Sequence, residues 1–281
     1  MIEVLEVGSA FVQDLGRPGL SHLGISPSGA ADRASLVAAN RALGNDPGAA
    51  ALEIVGPLAV RADADLLVAV TGAHAPVLVD GVATDARVLA VASGSVVTLG
   101  MPRWGWRSYL AVRGGIDAPL VLGSRSTDVL SGLGPAPLQV GDRLAVGQAT
   151  GAVPTSEPHP EVITPGPLVM LDASPGPRAD WLADPDELYR KPWRVSALAD
   201  RVGLRLEGGP LTRAITDELP SEGVVTGSVQ VPPNGEPVIL GPDHPVTGGY
   251  PVVAVLTAAA CDAVAQLRAG ITVRFRRSGP R

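Results

Sequence analysis

Polar side chains of several chemical types are concentrated between residues 221 and 251, in "SEGVVTGSVQVPPNGEPVILGPDHPVTGGYP". They fall at the ends of predicted strands and comprise Glu222, Gln230, Asn234, Asp243, His244, Thr247 and Tyr250. Gly248 and Gly249 have no side chain, so the backbone there can approach a ligand closely. We interpret "DHPVTGGYP" as functional, whereas Asn234-Gly235 is better explained as the tip of a β-hairpin.

A second group of polar residues lies in "GISPSGAADRASLVAANRALGN", residues 24–45. The segment Ser26-Pro27-Ser28-Gly29 can leave backbone N–H groups unpaired at the start of a helix, where the macrodipole is positive and suits an anion. The alternative is that Ser28 or Asp32 caps the helix and Arg33 is solvated. From spacing alone, capping is the preferred interpretation.

A third stretch, "GGIDAPLVLGSRSTDVLSGLG" at residues 114–134, places Arg125 among glycines and hydroxyl residues. The planar guanidinium of Arg125 could hold a carboxylate or phosphate by two parallel hydrogen bonds. Asp117 and Asp128 are close in sequence, and pairing of Arg125 with Asp128 would instead order a long loop. Both interpretations remain open at this point.

Several common catalytic signatures do not occur in the sequence. There is no G-x-x-x-x-G-K-[ST] or helix-opening G-x-G-x-x-G, and Lys191 is the only lysine, so the chain alone is not expected to be a standard nucleotide hydrolase. No G-x-S-x-G elbow is present. The four histidines are isolated, so no metal site is predicted, and Cys261 in "LTAAACDAV" is interpreted as a small buried hydrophobe.

Composition and charge further narrow the class of protein and its possible partners. The net charge is −6 and no basic cluster is visible, which argues against a nucleic-acid partner. No apolar run reaches the roughly 18 to 20 residues that a membrane span needs, and the first eight residues carry two glutamates instead of a signal peptide. We therefore expect a soluble protein that is not exported and has no membrane partner.

The elements that must position these residues are predicted to be mainly β. Thirty-four glycines and 27 prolines separate short Val/Leu-rich segments such as 66–73, 87–100, 107–115, 168–173 and 202–208. One helix is predicted at about residues 32–43, ending at Gly44. The stretch 252–275 is grouped with the strand-like segments.

Two domains are expected from the Pro-rich stretch "TSEPHPEVITPGP". We predict an N-terminal β domain over residues 1–153 that contains the helix near 32–43, a linker over 154–167, and a C-terminal β-barrel domain over 168–281. The segments "LQVGDRLAV" and "LRAGITVRF" share a short pattern near the end of each half, which suggests two domains of similar build.

The same motifs, in the same order, resemble the allophanate hydrolase subunit 2 family. This family is also named after the C-type subunit of 5-oxoprolinase, or called the biotin-dependent carboxyltransferase family. The resemblance rests on the opening segment followed by "AALEI", then "YLAVRGGID", "VLGSRSTD", "DRVGLRLEG", "SEGVVTGSVQVPPNGEPVIL" and "TGGYP", and it covers nearly the whole chain.

The resemblance implies two β-barrel-like domains of cyclophilin-like architecture in a cytoplasmic protein. It implies an ATP-dependent hydrolase that opens 5-oxoproline to glutamate together with a B-type and an A-type partner, inactive alone. One alternative is the carboxyltransferase part of a urea-type carboxylase, with biotin on a separate carrier. The chain lacks the Met-Lys-Met carrier motif. The other is a non-catalytic regulator that pairs with a kinase-inhibitor-like protein.

Residues that match the family pattern are assigned expected roles. The expected catalytic residues are Arg125, Glu222, Thr247 and Tyr250. The expected substrate-binding residues are Ser26, Gly29, Asp32, Asn40, Asp128, Arg201, Gln230, Gly248 and Gly249. Chemically, Arg125 or Arg201 suits a carboxylate or acyl-phosphate, and Glu222 or Asp243 suits a general base. Thr247 with the amides of the two glycines suits an oxyanion or lactam oxygen.

Overall fold

A computed structural model of the chain describes residues 1–150, 152–154 and 168–278. The described residues form two compact units that do not follow the sequence in two simple halves. Unit 1 comprises residues 1–17, 32–128 and 132–154 apart from 151, and unit 2 comprises residues 18–31, 129–131 and 168–278. The sequence-based division at 153 and 168 therefore assigns two short segments of unit 2 to the N-terminal domain. The predicted linker, Pro154 excepted, lies outside the described residues.

Unit 1 contains one helix and nine strands among its described residues. The helix is α1 (Arg33–Ala42), and the strands are β1 (Ile2–Gln13), β2 (Ala51–Ala62), β3 (Leu66–His74), β4 (Val77–Val79), β5 (Val82–Thr84), β6 (Val88–Val91), β7 (Val96–Leu99), β8 (Trp104–Val112) and β9 (Arg143–Leu144). The strands form a single sheet, a half-barrel, in the order β5-β4-β7-β2-β8-β3-β6, and β1 pairs with β2 and β9.

The long antiparallel pair of β1 and β2 is the frame of unit 1. Val4, Ala10 and Val12 of β1 and Leu52, Ile54 of β2 are fully buried and form part of one apolar core. The pairing register shifts twice along β1, once between Val7 and Ser9. Gly8 lies at this shift, and a Cβ there would approach both Pro57 Cδ and the Val55 carbonyl oxygen to 2.9 Å, so the close contact of the two strands needs glycine.

Unit 2 is built around a closed barrel. Its strands are β10 (Leu168–Pro175), β11 (Trp193–Ala199), β12 (Gly203–Glu207), β13 (Glu222–Gly223), β14 (Ser228–Gln230), β15 (Val238–Leu240), β16 (Thr247–Gly248), β17 (Val252–Leu256) and β18 (Thr272–Arg277), and its helices are α2 (Glu187–Arg190) and α3 (Ala258–Ala265). Two 3₁₀ turns span Ser21–Leu23 and Ala179–Trp181. The barrel order is β10-β17-β14-β15-β12-β11-β18, and β13 and β16 form a separate two-stranded sheet.

Alternation along the barrel strands separates an apolar interior from a polar outer wall. Trp193 and Phe275 are the largest fully buried side chains of this core, and Leu171 and Val273 pack beside them. The expectation of a mainly β protein with few helices and barrel-like architecture is confirmed. None of the helices in the described part of the chain is long and apolar enough to cross a membrane.

The stretch 252–275 is not continuous β structure as predicted. Strand β17 is followed by α3, and β18 begins only at Thr272. Alanine has the highest helix propensity, and the Thr257 hydroxyl caps the helix by accepting the Ala260 N–H at 3.2 Å. Cys261 is on this helix, half-buried instead of fully buried, and packs against the barrel core.

Candidate functional site

Asp32 is the N-cap residue of α1. Its carboxylate accepts the Ser35 backbone N–H at 2.9 Å and the Ser35 hydroxyl at 2.6 Å, and the side chain is fully buried. Because this carboxylate already satisfies a helix N–H, the start of α1 holds its own side chain at the place where an external anion would bind.

A buried polar group fixes the backbone at the same helix start. The Asp32 N–H donates to the Tyr109 hydroxyl at 2.8 Å, and that hydroxyl donates to Glu53 Oε2 at 2.8 Å. Glu53 and Tyr109 are directly opposite each other in the β2–β8 pair, and Arg107 lies 3.3 Å from the other Glu53 oxygen. Burial, reinforced by the Glu53 carboxylate, raises the pKa of Tyr109 well above its usual value, so the hydroxyl stays protonated.

We expect Asp32→Ala to destabilise the protein by about 0.5–2 kcal/mol, the usual cost of losing an N-cap. Asp85→Ala, at an exposed loop position, serves as the matched control. Urea denaturation followed by far-UV circular dichroism measures both variants. Equal unfolding midpoints for the two would contradict the capping role.

Asn40 also makes its contacts inside unit 1. Its Nδ2 donates to the Ala49 carbonyl at 2.7 Å, and its Oδ1 accepts from Asn45 Nδ2 at 3.0 Å. The fully buried amide thereby fixes the loop that follows α1.

Arg125 belongs to a loop that is organised by a residue the sequence analysis did not single out, Asp14. The Asp14 carboxylate accepts the hydroxyls of Ser124 and Ser126 at 2.7 and 2.5 Å and the Arg125 backbone N–H at 2.6 Å. The Arg125 guanidinium pairs with Asp117 at 2.9 Å, not with Asp128, and both side chains of that pair are partly exposed. Asp128 itself is buried.

In unit 2, Arg201 and Asp243 form a buried ion pair. Two guanidinium nitrogens of Arg201 lie 2.8 and 2.9 Å from the two Asp243 oxygens, and the residues are 4% and 0% exposed. The Arg201 Nη2 also donates to the Gly29 carbonyl at 2.7 Å. The Ser28 hydroxyl and the Val129 N–H donate to Asp243 at 2.7 and 3.0 Å.

This ion pair joins three separate chain segments of unit 2, and the first of them contains the buried Ser26. Ser28 and Gly29 both have positive φ, at 50° and 89°, which turns the segment so that its hydroxyl and carbonyl reach the pair. Asp243 was expected as a possible general base. With its two oxygens bonded and no solvent exposure, its carboxylate serves to hold these segments together.

Two of the remaining predicted residues of unit 2, Gly249 and Tyr250, line a small pocket of about 270 Å³. The pocket is lined by Arg213, Thr216, Asp217, Glu218, Leu219, Pro233, Gly249 and Tyr250. Tyr250 is 46% exposed, so its ring and hydroxyl are accessible from solvent. A concave site of this size with an aromatic wall and polar groups suits a small polar ligand.

Arg213 is the cation of the pocket wall and was not identified from the sequence. Its Nε donates to the Ile215 carbonyl at 3.0 Å and its Nη2 to the Asp217 carbonyl at 3.1 Å. The guanidinium lies 5.5 Å from the centre of the Trp181 ring. These contacts fix the position of a positive charge beside the pocket.

The strand β16 leads directly into the pocket wall. Thr247 is exposed, and Gly248 pairs with Glu222 across the small β13–β16 sheet. A Cβ on Gly248 would lie 2.5 Å from Gln230 Nε2, so the absence of a side chain makes room for the buried amide. Gln230 donates from Nε2 to the Tyr250 carbonyl at 3.2 Å and so anchors the backbone of the pocket's aromatic residue.

Glu222 is held by Arg178, another residue that sequence reasoning missed. Both guanidinium contacts reach the carboxylate, one of them from Nε at 3.1 Å, and the pair is partly exposed. Hydrogen bonding from Arg178 lowers the pKa of Glu222 below its ordinary value of 4.5. The carboxylate is therefore ionised at neutral pH and a weaker base than a free glutamate.

The Arg178–Glu222 pair gives a pH-dependent contribution to stability. Because the folded-state pKa is lowered, the contribution is present above the unfolded-state pKa and is lost as the pH falls through the folded-state pKa. We expect Glu222→Gln to unfold at lower urea concentration than the parent at pH 7, and the gap to close on acidification below pH 4.5. A gap that stays constant from pH 7 to pH 3 would contradict this assignment, and Arg178→Ala should reproduce the Glu222→Gln profile.

The structure thus sorts the predicted site residues into three groups. Gly249 and Tyr250 line the pocket, Glu222, Thr247 and Gly248 belong to the small β13–β16 sheet, and Gln230 is hydrogen-bonded to the Tyr250 backbone. Ser26, Gly29 and Arg201 belong to the buried ion-pair region of unit 2. Asp32, Asn40, Arg125 and Asp128 belong to unit 1. Within the described ranges, no group of three or more His, Cys, Asp or Glu residues is placed to hold a metal ion.

The chain combines a closed barrel with a half-barrel sheet, and the barrel unit contains a small polar pocket. The family model described as the carboxyltransferase domain, subdomain A and B, matches residues 23–277. The chain belongs to this family, and the resemblance inferred from its motifs is confirmed.

Three similar proteins illustrate the range of the family. The C-type subunit of 5-oxoprolinase from Escherichia coli (strain K12) is 39% identical over 284 residues, covering 98% of this chain and 90% of the relative. The protein of the same name from Haemophilus influenzae is 36% identical with the same coverage. The crystal structure of Kluyveromyces lactis urea carboxylase superimposes with a TM-score of 0.89 at 28% identity, over 98% of this chain but only 27% of that larger one.

Proposed function

We propose that the chain is the C-type subunit of an ATP-dependent 5-oxoprolinase, a hydrolase complex that converts 5-oxoproline, ATP and water into glutamate, ADP and phosphate. The observation that carries the proposal is the 39% identity to a 5-oxoprolinase subunit of this type along nearly the full length of both chains. A relative that spans only part of a larger enzyme would support a domain-level assignment, whereas this match supports a whole-subunit one. The two compact units are proposed as the two domains of that subunit.

The pocket supports the proposal through its size and chemistry. 5-Oxoproline is a small cyclic amide that carries one carboxylate. The Arg213 charge suits the carboxylate, and the Tyr250 hydroxyl is a donor for the lactam oxygen. We assign Gln230 and Gly248 to positioning this wall, because they fix the Tyr250 backbone. Arg178 keeps the Glu222 carboxylate ionised. We assign Glu222 to setting the charge of the site and orienting the substrate.

ATP is assigned to the companion proteins of the complex. The sequence has no phosphate loop, and the start of α1 is filled by the Asp32 carboxylate, which would repel a phosphate. Neither a phosphate loop nor the start of α1 therefore offers a place for the phosphates of the nucleotide. We propose that this chain supplies part of the lactam site and works in the cytoplasm with a B-type and an A-type partner.

The test is 5-oxoproline-dependent ADP release by the chain mixed with its B-type and A-type companions, with each component omitted in turn. Activity only in the complete mixture is the expected result. Turnover by this chain alone would overturn the proposal that it is one part of a complex. A stable complex that consumes no 5-oxoproline would instead favour a regulator that pairs with a kinase-inhibitor-like protein.

A second candidate function is carboxyl transfer from biotin, and the family description and the likeness to urea carboxylase favour it. In that case a separate carrier would supply carboxybiotin, and the pocket would hold the accepting amide. The distinguishing assay incubates the chain and its B-type companion with a carboxylated, biotinylated carrier protein and a urea-type acceptor. Transfer of labelled carboxylate to the acceptor, without ATP-dependent glutamate formation, would favour this alternative.

A further inference from the structure

The outer wall of the barrel in unit 2 carries three arginines that have no carboxylate partner among the described residues. They are Arg194 on β11, Arg205 on β12 and Arg274 on β18. Each is exposed and lies between two buried neighbours along its strand, so all three side chains face out of the barrel. Arg194 is opposite Thr272 of β18, two residues before Arg274, and opposite Glu207 of β12, two residues after Arg205, so the three arginines lie on three adjacent strands.

Two other arginines of the barrel form ion pairs with carboxylates. Arg276, the next outward residue on β18, binds both oxygens of Asp172, and Arg277 pairs with Asp186 while lying over the Tyr189 ring. The chain as a whole is acidic, with a net charge of −6. Although the chain is acidic, these three guanidiniums form no ion pair with a carboxylate of the described residues. They are therefore available to bind a carboxylate from another molecule.

Apolar side chains accompany these arginines. Leu168 and Met170 of β10 are 44% and 40% exposed, and they pair in register with Thr272 and Arg274 of β18. On the other side, a groove of about 500 Å³ is lined by Ala197, Leu198, Ala199, Asp200, Val202, Gly203, Arg205, Val238 and Leu240. Leu198 is 68% exposed.

The pairing of β11 with β12 is irregular beside the groove. Strand β11 pairs with β12 at Val195 and again at Ala199, but residues 196–198 have no registered partner in β12 or β18. Exposed Met, Leu and Arg together are typical of protein interfaces, whereas a nucleic-acid surface would need a wider basic area than three arginines provide.

We propose that this arginine face, formed by Arg194, Arg205, Arg274, Leu168 and Met170 with the groove at Leu198, binds an acidic, partly apolar surface segment of the B-type companion protein. Carboxylates of the segment pair with the guanidiniums, and an apolar side chain enters the groove. The proposal rests on the proposed function, because that function supplies the companion. The arginine face is on the barrel wall and includes none of the residues that line the candidate pocket.

The test measures the dissociation constant of the purified B-type companion for the full chain by isothermal titration calorimetry. We expect Arg194→Glu/Arg274→Glu to weaken binding at least about tenfold, since buried or partly buried interfacial charge pairs contribute several-fold to affinity each. The matched control is Arg41→Glu/Arg103→Glu, which makes the same change in net charge at exposed positions of unit 1. The control should bind within about twofold of the parent, and parent binding should weaken with added salt.

A Leu198→Asp variant tests the groove separately, and circular dichroism checks that each variant is folded. Equal dissociation constants for the face variant and the control variant, or a companion that does not bind the parent chain, would overturn the proposal. Binding and ADP release are measured independently. Charge-sensitive binding without ADP release would sustain the face and reject the 5-oxoprolinase role, whereas ADP release with charge-insensitive binding would do the reverse.

Discussion

Asp243→Ala is expected to lower the free energy of unfolding by about 3–5 kcal/mol, because it leaves the Arg201 charge buried without its counter-ion. The same change removes the acceptor for the Ser28 hydroxyl and the Val129 N–H, so three segments of unit 2 lose contacts at once. Urea unfolding followed by tryptophan fluorescence measures the effect, since Trp181 and Trp193 both belong to unit 2.

The matched control for this prediction is Asp172→Ala. It removes the partner of Arg276 in a solvent-exposed ion pair, and exposed pairs contribute little to stability. The unfolding midpoint of the control should hardly move. The double variant Arg201→Met/Asp243→Leu should recover part of the loss, because no unpaired charge remains. Similar midpoints for Asp243→Ala and Asp172→Ala would show that the buried pair is not a major source of stability.

Tyr250→Ala is expected to reduce kcat/KM for 5-oxoproline-dependent ADP release by the complete complex on the order of 10²-fold, the usual effect of losing a donor to developing negative charge. Tyr250→Phe separates the two functions of the side chain. If the hydroxyl is the donor, the phenylalanine variant should lose nearly as much as the alanine variant; if only the ring matters, it should retain activity.

Trp104→Ala, which truncates a similarly exposed aromatic side chain in unit 1, is the control for that experiment. It should leave kcat/KM unchanged within about twofold. Full activity of Tyr250→Ala in a properly assembled complex would remove the pocket from the proposed site. An equal loss in the Trp104→Ala variant would point to a general defect in folding or assembly.

Local patterns were sufficient to predict much of the fold. Glycine and proline between Val-rich segments indicated a β protein, and apolar spacing placed the first helix within one residue of α1 at either end. The helix α3 was missed because its alanines continue the apolar run of β17, and periodicity cannot distinguish the two in so short a segment. Closure of the barrel depends on the pairing of β10 with β18, which are far apart in sequence.

The sequence was sufficient to predict one chain segment of the candidate site, but not the residues that other parts of the chain contribute. The segment 247–250 was predicted because glycines, a hydroxyl and an aromatic ring are contiguous there, and two of its residues, Gly249 and Tyr250, line the pocket. Arg213 lines the pocket and Arg178 pairs with Glu222, and no short motif marks either arginine. Conversely, Asp243 is as polar as any catalytic carboxylate, and only its burial and four hydrogen-bonding contacts distinguish a structural role.

Each of the two units is built from several separate segments of the chain, and this limits how the molecule can be divided into fragments. The buried acid of the barrel unit takes donors from residues 28 and 129, which precede that unit's main segment by a long stretch of chain. A fragment that starts after the Pro-rich stretch would keep every barrel strand and still lack these donors. Dissection of this protein is therefore better done by point substitution than by truncation.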